Sequence, residues 1–243
     1  MSHTESDIQQ MFNTIAPNYD FLNRLLSLRQ DVRWRQALAA QVPTCAGGTY
    51  VDVATGTGDV LVAVQACHAE YANWVGVDIS ENMLVLARKK LDLETTIGSM
   101  PTFLQASAES LPFADASVDC LSISFGLRNV IDKEKALAEF RRVLRPKGTL
   151  LILEFFTPQG ALSRFFEFYF HRILPRVGGL FSDASAYRYL PMSVASFYSP
   201  DQLSRLLQKN QIPMVTQKNF LFGGCQLWVC QKELGPIVVP VAS

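Results

Sequence analysis

Two short segments contain the residues best suited to chemistry, a glycine-containing turn and a carboxylate downstream of it. Residues 50–59 pass from an apolar run into Thr-Gly-Thr-Gly-Asp, which places glycines at Gly56 and Gly58. Asp78 follows 20 residues after Gly58, at the end of a second apolar run. Glycine lets a backbone approach a ligand closely, and a carboxylate can accept hydrogen bonds from both hydroxyls of a ribose. This spacing predicts a nucleoside site in the first half of a parallel α/β sheet.

The form of the turn narrows the choice of nucleoside. A dinucleotide fingerprint needs a third glycine three residues after the second, because its helix packs closely beneath a pyrophosphate. Leu61 stands at that position, and Ala54 stands where the first glycine belongs. The turn with its distal acid resembles the S-adenosylmethionine (SAM) site of class I methyltransferases, which holds no phosphate. Two alternatives are a nicotinamide cofactor and a turn that binds nothing, with Asp78 serving only as a charge at a helix N-terminus.

Composition limits the classes of protein to consider. The 243 residues, 49% of them hydrophobic, are enough for one α/β domain with its own core. The 22 basic and 22 acidic residues cancel, so no overall field would attract nucleic acid. The five cysteines are scattered without a C-x-x-C pair, which favours a reduced cytoplasmic protein and indicates no metal site. The sequence has no run of 18 apolar residues and no signal-peptide pattern.

Hydrophobic periodicity predicts the elements that would position the turn and the acid. Apolar runs indicate strands near 49–54, 74–78, 102–105, 118–124 and 149–155, with helices from Asp59 to Ala69, from Ser80 through Leu91 and after Asp132. Such alternation implies a parallel sheet covered by helices on both faces. A helix is then expected from Ser199 to about Asn210, and two strands flank Gly223-Gly224, a two-residue hairpin signal.

A terminal antiparallel hairpin matches the way class I methyltransferases end their sheet. We therefore expect an α/β fold of the Rossmann-like, class I SAM-dependent methyltransferase type, with a mostly parallel seven-stranded sheet. A single domain would span residues 1–232, with an N-terminal helical cover over 8–42 and a substrate-side insertion over 157–200. Residues 233–243 are predicted to be a loose tail.

Several strings are more specific than the cofactor turn. They lie at residues 18–23, 108–113, 123–130, 132–137, 142–146 and 185–190. In this order they resemble the quinone-biosynthesis C-methyltransferases, the family of demethylmenaquinone methyltransferases and 2-polyprenyl-6-methoxybenzoquinol methylases. The resemblance extends over roughly residues 10–231, and Phe-Gly-Leu-Arg-Asn at 125–129 is its most specific part.

The resemblance implies a set of SAM contacts at the carboxyl ends of the strands. The matching positions are Gly56 and Thr57 in the turn, Asp78 at the ribose, Ser107 and Ala108 beside the adenine, and Ser124 next to the methyl donor. One position departs from the family pattern, which commonly has an amide or a carboxylate where Ser107 stands. A hydroxyl reaches less far toward an adenine amino group, so the Ser107 contact is the weakest of the set.

The resemblance also implies the reaction, the C-methylation of a prenylated quinol in menaquinone or ubiquinone biosynthesis, with demethylmenaquinol as the favoured acceptor. A naphthoquinol and a benzoquinol both remain open. Arg128 is the candidate for stabilising the quinol phenolate, and its structural alternative is an arginine that caps the helix-entry loop through a carboxylate such as Asp132. Tyr19 and Asp20 either close over the site or serve as a packed aromatic and a helix cap. Tyr187 and Arg188 are candidates for the quinol pocket.

Residues 162–174 are rich in aromatic and aliphatic side chains. They predict either a buried lid helix or an apolar wall for a polyprenyl tail that touches the membrane peripherally, and these alternatives are compatible. A homodimer stays open. Two rival functions also remain, a SAM-dependent methyltransferase with another small-molecule or lipid acceptor, and a non-catalytic SAM-binding scaffold of a quinone-biosynthesis complex.

Overall fold

A computed structural model describes residues 4–94, 99–158 and 184–234, with the side chains at 93–94 and 184–188 outside that description. Within these ranges the chain forms one seven-stranded sheet of order β3-β2-β1-β4-β5-β7-β6. The strands are β1 (Thr49–Val53), β2 (Asn73–Asp78), β3 (Thr102–Gln105), β4 (Val118–Ser124), β5 (Leu144–Phe155), β6 (Met214–Phe220) and β7 (Cys225–Gln231). Strands β1 to β5 are parallel, and β7 runs antiparallel between β5 and β6. The expected class I fold is therefore confirmed.

Helices connect and cover these strands. They are α1 (Glu5–Ile15), α2 (Tyr19–Leu26), α3 (Gln30–Ala39), α4 (Asp59–Gln65), α5 (Glu81–Glu94), α6 (Lys133–Val143), α7 (Ala184–Ala195) and α8 (Pro200–Lys209). Short 3₁₀ turns occupy Ala16–Asn18, Leu127–Asn129 and Leu221–Gly223. No helix in the described part of the chain has the length and apolar character needed to cross a membrane.

Side-chain caps explain where the helices begin, as the sequence predicted. The Ser80 hydroxyl accepts a hydrogen bond from the Met83 backbone N–H at 3.2 Å, ahead of α5. The Asp132 carboxylate accepts one from the Lys135 N–H at 3.0 Å, ahead of α6. Ser199 forms a full capping box with Gln202, and Pro200 occupies the first turn of α8. These caps orient each helix against the sheet.

The N-terminal cover is attached to the rest of the molecule in three different ways. Helix α3 buries Trp34 and Leu38 against the face of the sheet that carries Leu151 and Leu153. Helix α1 and the turn after it pack Ile15 on Met83 of α5, in a small separate cluster. Helix α2 contributes Leu22 to a third cluster, shared with residues of α7. The cover therefore rests on several elements of the core.

Three predicted boundaries are wrong. Helix α4 ends at Gln65 and not at Ala69, because the chain closes in a tight turn there, where the N–H groups of Cys67 and His68 both donate to the Val64 carbonyl. Strand β5 begins at Leu144, five residues before Thr149, since Leu144 pairs with Val118 across an irregularity in β4.

The terminal hairpin is the third correction. Its strands are joined by four residues, Leu221–Gly224, and not by Gly223-Gly224 alone. Leu221 and Phe222 adopt left-handed φ angles of 46° and 55°, and the Gly224 N–H donates to the Leu221 carbonyl at 3.0 Å. Strand β6 stops at Phe220, whose ring packs 6.3 Å from that of Trp34. The turn is therefore set by a tertiary contact as well as by its glycines.

The cofactor turn should tolerate a side chain poorly at Gly58. Its φ is +82°, and an added Cβ would lie 2.7 Å from Leu91 Cδ1 and 3.3 Å from Ala87 Cβ. Left-handed backbone costs a non-glycine residue about 1–2 kcal/mol, and overpacking a core costs about 1–3 kcal/mol more. We predict that Gly58→Ala lowers the free energy of unfolding, measured by urea titration, by the sum of both effects.

Gly47→Ala is the matched control for this substitution. Its φ of +74° carries the same backbone penalty, but an added Cβ would meet nothing within 4 Å. It should lose only the backbone contribution, about 1–2 kcal/mol. Equal losses in the two variants would show that close packing beneath the turn is unimportant.

Candidate functional site

A cleft opens where the carboxyl ends of β1, β2 and β4 meet, at the point where the strand order reverses. Its volume is about 700 Å³ when the open solvent at its mouth is included. The sheet side is lined by residues from the ends of β1 to β4, and the N-terminal cover contributes Glu5, Ile8, Phe12 and Tyr19. Open α/β sheets bind ligands at such reversal points.

Asp78 stands at the end of β2 with its carboxylate on the cleft. One carboxylate oxygen accepts the Gly56 N–H at 2.8 Å, and the other accepts the Ser80 N–H at 2.9 Å. The residue is 8% exposed, and burial raises its pKa while these two N–H groups oppose the shift. Each carboxylate oxygen retains further acceptor capacity. The arrangement can accept two hydroxyl groups of a diol.

Gly56 leaves the backbone of the turn accessible. Its φ is +55°, and the nearest atom to an added Cβ would be Tyr19 Cε1 at 3.9 Å. The turn thus presents backbone on one side of the cleft, with the Tyr19 ring as the opposing wall.

The ends of β3 and β4 supply the remaining predicted contacts in the cleft. Ser107, Ala108 and Ser124 all line it. The Ser107 hydroxyl already accepts the Glu109 N–H at 3.2 Å. The Ser124 hydroxyl is buried and has no hydrogen-bond partner among the described residues. Since buried polar atoms nearly always have partners, the Ser124 hydroxyl is suited to a polar atom of a ligand.

The charge of the lining distinguishes between cofactors. Among the described residues that line the cleft, Glu5, Asp78 and Glu109 are acidic, and none is lysine or arginine. A pyrophosphate would be repelled by such a surface, whereas a sulfonium or ammonium group would be attracted. The donor and acceptor set therefore fits SAM and disfavours a dinucleotide. No group of three His, Cys, Asp or Glu side chains suited to a metal occurs in the described ranges.

Thr57 lies beside the cleft but does not line it. Its hydroxyl donates to Asp20 Oδ1 at 2.5 Å and accepts from Lys90 Nζ at 3.0 Å. The side chain is thus turned toward α2 and α5, away from the position expected of a direct cofactor contact. Asp20 likewise bonds to the turn, and no side-chain hydrogen bond caps the start of α2 at Asn18.

Arg128 lies in the 3₁₀ turn after β4 and forms a buried ion pair. Its Nη1 atom donates to Glu154 Oε1 at 2.8 Å, and its backbone N–H donates to Glu154 Oε2 at 3.1 Å. Further hydrogen bonds reach the Phe125 carbonyl and, at 3.3 Å, the Ser193 hydroxyl. Arg128 thus pairs with a carboxylate, but that carboxylate is Glu154, because Asp132, the example given above, caps α6. Arg128 is not among the residues that line the cleft, whereas its neighbours Phe125, Gly126 and Asn129 are.

The predicted quinol-pocket residues cannot be placed in the same detail. Tyr187 and Arg188 lie on helix α7, but their side chains are outside the described residues. The aromatic segment 162–174 and most of the expected 157–200 insertion also lie outside them. Helix α7 contacts the Arg128 turn through Ser193, so the side of the cleft where these residues were expected is adjacent to Arg128.

Sequence reasoning missed two polar residues near the cofactor turn, the buried Asp52 and the partly buried Lys90. Asp52, inside β1, accepts a hydrogen bond from the Ser122 hydroxyl at 2.5 Å, and Ser122 in turn bonds to the Tyr50 hydroxyl at 2.6 Å. Burial raises the Asp52 pKa to about 7, although the Ser122 bond opposes the shift. An acidic residue within an apolar strand is a sequence signal that could have identified Asp52. The sequence contains no such signal for Lys90, because its partners are far away in sequence.

Comparison with known proteins supports the same cofactor assignment as the geometry of the cleft. A profile of the ubiE/COQ5 methyltransferase family matches residues 1–232. The "Ubiquinone/menaquinone biosynthesis C-methyltransferase UbiE" of Geotalea uraniireducens is 44% identical over 201 residues, 82% of this chain and 85% of that protein. The "Demethylmenaquinone methyltransferase" of Thermus thermophilus is 44% identical over 199 residues, 81% of this chain and 89% of that protein.

Solved structures share the fold at low sequence identity. The [4+2]-cyclase SpnF aligns with a TM-score of 0.72 and 15% identity, covering 97% of this chain and 98% of that one. A SAM-dependent methyltransferase of Thermotoga maritima, titled a possible histamine N-methyltransferase, aligns with a TM-score of 0.66 and 20% identity, covering 93% and 99%. At these identities the likeness concerns the fold alone.

The buried Asp52 should make stability depend on pH in a defined direction. Its pKa rises from 3.8 to about 7 on folding, so between these values the folded state binds a proton that the unfolded chain lacks. Stability from this group therefore falls as pH rises toward 7. We predict that Asp52→Asn gains stability relative to the parent protein by up to about 1.4 kcal/mol per unit between pH 5 and 7.

Urea titrations at several pH values measure this difference, and other titrating groups cancel between the two proteins. The exposed Asp92, replaced by Asn, is the control and should show no such trend. Parallel stability curves for the parent and Asp52→Asn would contradict the raised pKa.

Proposed function

Because the chain belongs to the ubiE/COQ5 methyltransferase family, we propose that it transfers a methyl group from SAM to a ring carbon of a prenylated quinol. The proposed acceptor is demethylmenaquinol, and the methoxybenzoquinol of ubiquinone biosynthesis is the alternative. The relatives named for these reactions match along most of this chain and most of their own length, which supports the same chemistry here.

The observation that carries the cofactor assignment is the acidic cleft with Asp78 at its edge. Asp78 would hold the ribose hydroxyls, and the backbone at Gly56 would allow close approach of the nucleoside. Ser107 and Ala108 would lie along the adenine, and the unpaired Ser124 hydroxyl would face the methionine end. When bound, SAM supplies a methyl group already activated on a sulfonium, so the protein mainly orients the two reactants.

The acceptor must be made nucleophilic before it can take the methyl group. An unperturbed phenol titrates near pH 10, so only about 0.1% is ionised at neutral pH. Bringing that fraction close to unity corresponds to about 4 kcal/mol, at 1.36 kcal/mol per pKa unit. A cation or a hydrogen-bond donor beside the phenolate oxygen can supply this. The phenolate then directs electron density to the adjacent ring carbon, which attacks the methyl group.

We assign this role to Arg128. The pair with Glu154 neutralises much of its long-range field, so its action depends on direct donation of an N–H to the phenolate oxygen. Glu154 is fully buried and holds both the guanidinium and the backbone N–H of Arg128, which fixes the direction of the remaining donors. Arg128 lies next to α7, on the side expected to bind the quinol.

The direct test offers reduced demethylmenaquinol and the methoxybenzoquinol separately to the purified protein with methyl-labelled SAM. Transfer to the naphthoquinol at the higher rate supports the proposal, and preferential transfer to the benzoquinol would reassign the acceptor. Binding of SAM without transfer to either quinol would favour the scaffold. Transfer to a different acceptor in a lipid extract would favour the broader methyltransferase alternative.

Arg128→Lys should lower turnover much more than SAM affinity. Lysine keeps a positive charge opposite Glu154 but lacks the planar fork, so one donor to the phenolate is lost. We expect turnover to fall at least about tenfold, the scale of one hydrogen bond to a charged group. Steady-state kinetics and calorimetry with SAM provide the two quantities.

Arg145→Lys is the matched control, since Arg145 pairs with Asp119 at 2.6 Å and its side chain is 50% exposed. The turnover of Arg145→Lys should equal that of the parent protein. Normal turnover in Arg128→Lys as well would return Arg128 to a purely structural role.

The same proposal includes peripheral contact with the membrane that holds the quinol. Phe21 and Leu25 of α2 are exposed, and so are Leu28 after α2 (79%) and Phe222 in the hairpin turn (80%). Large contiguous apolar patches mark interaction surfaces, and we propose that these side chains form one. Co-sedimentation with lipid vesicles tests this contact, and we expect it to be lost in the double variant Leu28→Ser/Phe222→Ser.

A homodimer through the exposed edge strand β6 is a further proposal, which sedimentation equilibrium would test.

A further inference from the structure

A network of charged side chains joins the N-terminal cover to the cofactor turn. Its members are Asp20 and Arg24 of α2, Asp31 and Arg35 of α3, Asp59 of α4 and Lys90 of α5. Three carboxylates face three cations, so the formal charges cancel. Burial alone would raise the pKa of Asp59, but the neighbouring Arg35, Lys90 and Arg24 together hold it below its ordinary value. Asp59 is therefore ionised at neutral pH.

Lys90 is the link between the two sides of this network. Its ammonium group donates to Asp20 Oδ2 at 2.6 Å, to Asp59 Oδ1 at 2.7 Å and to the Thr57 hydroxyl at 3.0 Å. These three bonds use all of its donors. Thr57 also donates to the other oxygen of Asp20 at 2.5 Å. Lys90, Asp20 and Thr57 thus close a ring of hydrogen bonds between α5, α2 and the cofactor turn, named here the Lys90 latch.

The Lys90 latch acts together with other contacts of α2. Arg24 of α2 pairs with Asp31 and Asp59, and Leu22 belongs to a small apolar cluster with Val194. The residue before Asp20 is Tyr19, whose ring lies 3.9 Å from the position of a Gly56 Cβ and forms a wall of the cleft. Any displacement of Asp20 from Thr57 and Lys90 therefore moves the Tyr19 wall.

We infer that Lys90 is a positioning residue for cofactor retention: through Asp20 and Thr57 it holds α2 and the Tyr19 ring against the cofactor turn. This inference rests on the proposed function, because it takes the cleft for the site of SAM and of its product, S-adenosylhomocysteine. The nucleoside leaves when the latch opens, so the latch sets the lifetime of the bound nucleoside.

Partial exposure makes the latch sensitive to salt. The side chains of Lys90 and Asp20 are 17% and 35% exposed, so dissolved ions reach the pair. Raising the salt from about 0.1 M to about 1 M shortens the screening length from about 10 Å to about 3 Å. Salt should therefore speed opening in the parent protein and have a smaller effect once the pair is removed, when only the Arg24 pairs of α2 remain.

The test measures the dissociation rate of S-adenosylhomocysteine by stopped-flow displacement with excess SAM. The variants are Lys90→Met, Asp20→Asn and their combination, with Lys90→Arg as the charge-retaining variant. Lys209→Met is the control, because Lys209 forms an exposed ion pair with Glu134 at 2.8 Å, remote from the turn. Asp20→Asn alters a side chain that is 35% exposed and provides a folded variant if Lys90→Met is unstable.

We expect dissociation to be about tenfold faster in Lys90→Met and in Asp20→Asn, the scale of losing one hydrogen bond to a charged group. The double variant should be no faster than either single variant, because both remove the same contact. Lys90→Arg should stay closer to the parent rate, and salt should change the dissociation rate more in proteins with an intact Lys90–Asp20 pair than in those without it.

Unchanged dissociation in folded Lys90→Met and Asp20→Asn would overturn the inference, as would additive effects or an unchanged response to salt. These outcomes differ from a failure of the proposed function. In that case the parent protein would bind neither SAM nor S-adenosylhomocysteine, or would bind them without methylating a quinol. The former would remove both proposals, and the latter would leave the latch standing.

Discussion

The carboxylate of Asp78 joins three backbone segments at the carboxyl edge of the sheet. It ends β2, accepts the Gly56 N–H of the turn after β1, and accepts the Ser80 N–H ahead of α5. Because both oxygens are held by backbone groups, the acid cannot turn away from the cleft, and the turn cannot close over it. The position of the turn then fixes Thr57, and through Thr57 the helix that carries Tyr19. The edge of the cleft and the contact between α2 and the turn therefore depend on this one carboxylate.

The acidic character of the cleft follows from the same constraint. A turn that holds a pyrophosphate exposes backbone N–H groups to it, whereas here the Gly56 N–H is already bonded to Asp78. The cleft instead presents carboxylates and neutral side chains. A cationic nucleoside suits that surface. The fold is shared with distant proteins of other activities, so the function is argued from this site and from the family relationship.

Local sequence signals were sufficient to predict most strands, several helix starts and several residues that line the cleft. Apolar runs gave the strands, and Ser80, Asp132 and Ser199 gave the helix starts, because strand burial and capping act over a few residues. The contacts that were missed join residues far apart in sequence: Arg128 with Glu154, Lys90 with Asp20, and Phe220 with Trp34. Pairing between distant elements leaves no periodic trace, so Asp132 was chosen for Arg128 on proximity in sequence alone.

Calorimetric titration with SAM tests the central claim most directly, using the parent protein, Asp78→Ala and the exposed control Asp92→Ala. The account predicts that the parent and Asp92→Ala bind alike. Asp78→Ala should bind at least about tenfold more weakly, because hydrogen bonds to a charged group contribute about 1.5–3 kcal/mol. Equal affinity in all three proteins would contradict the account, as would heat with NADH and none with SAM.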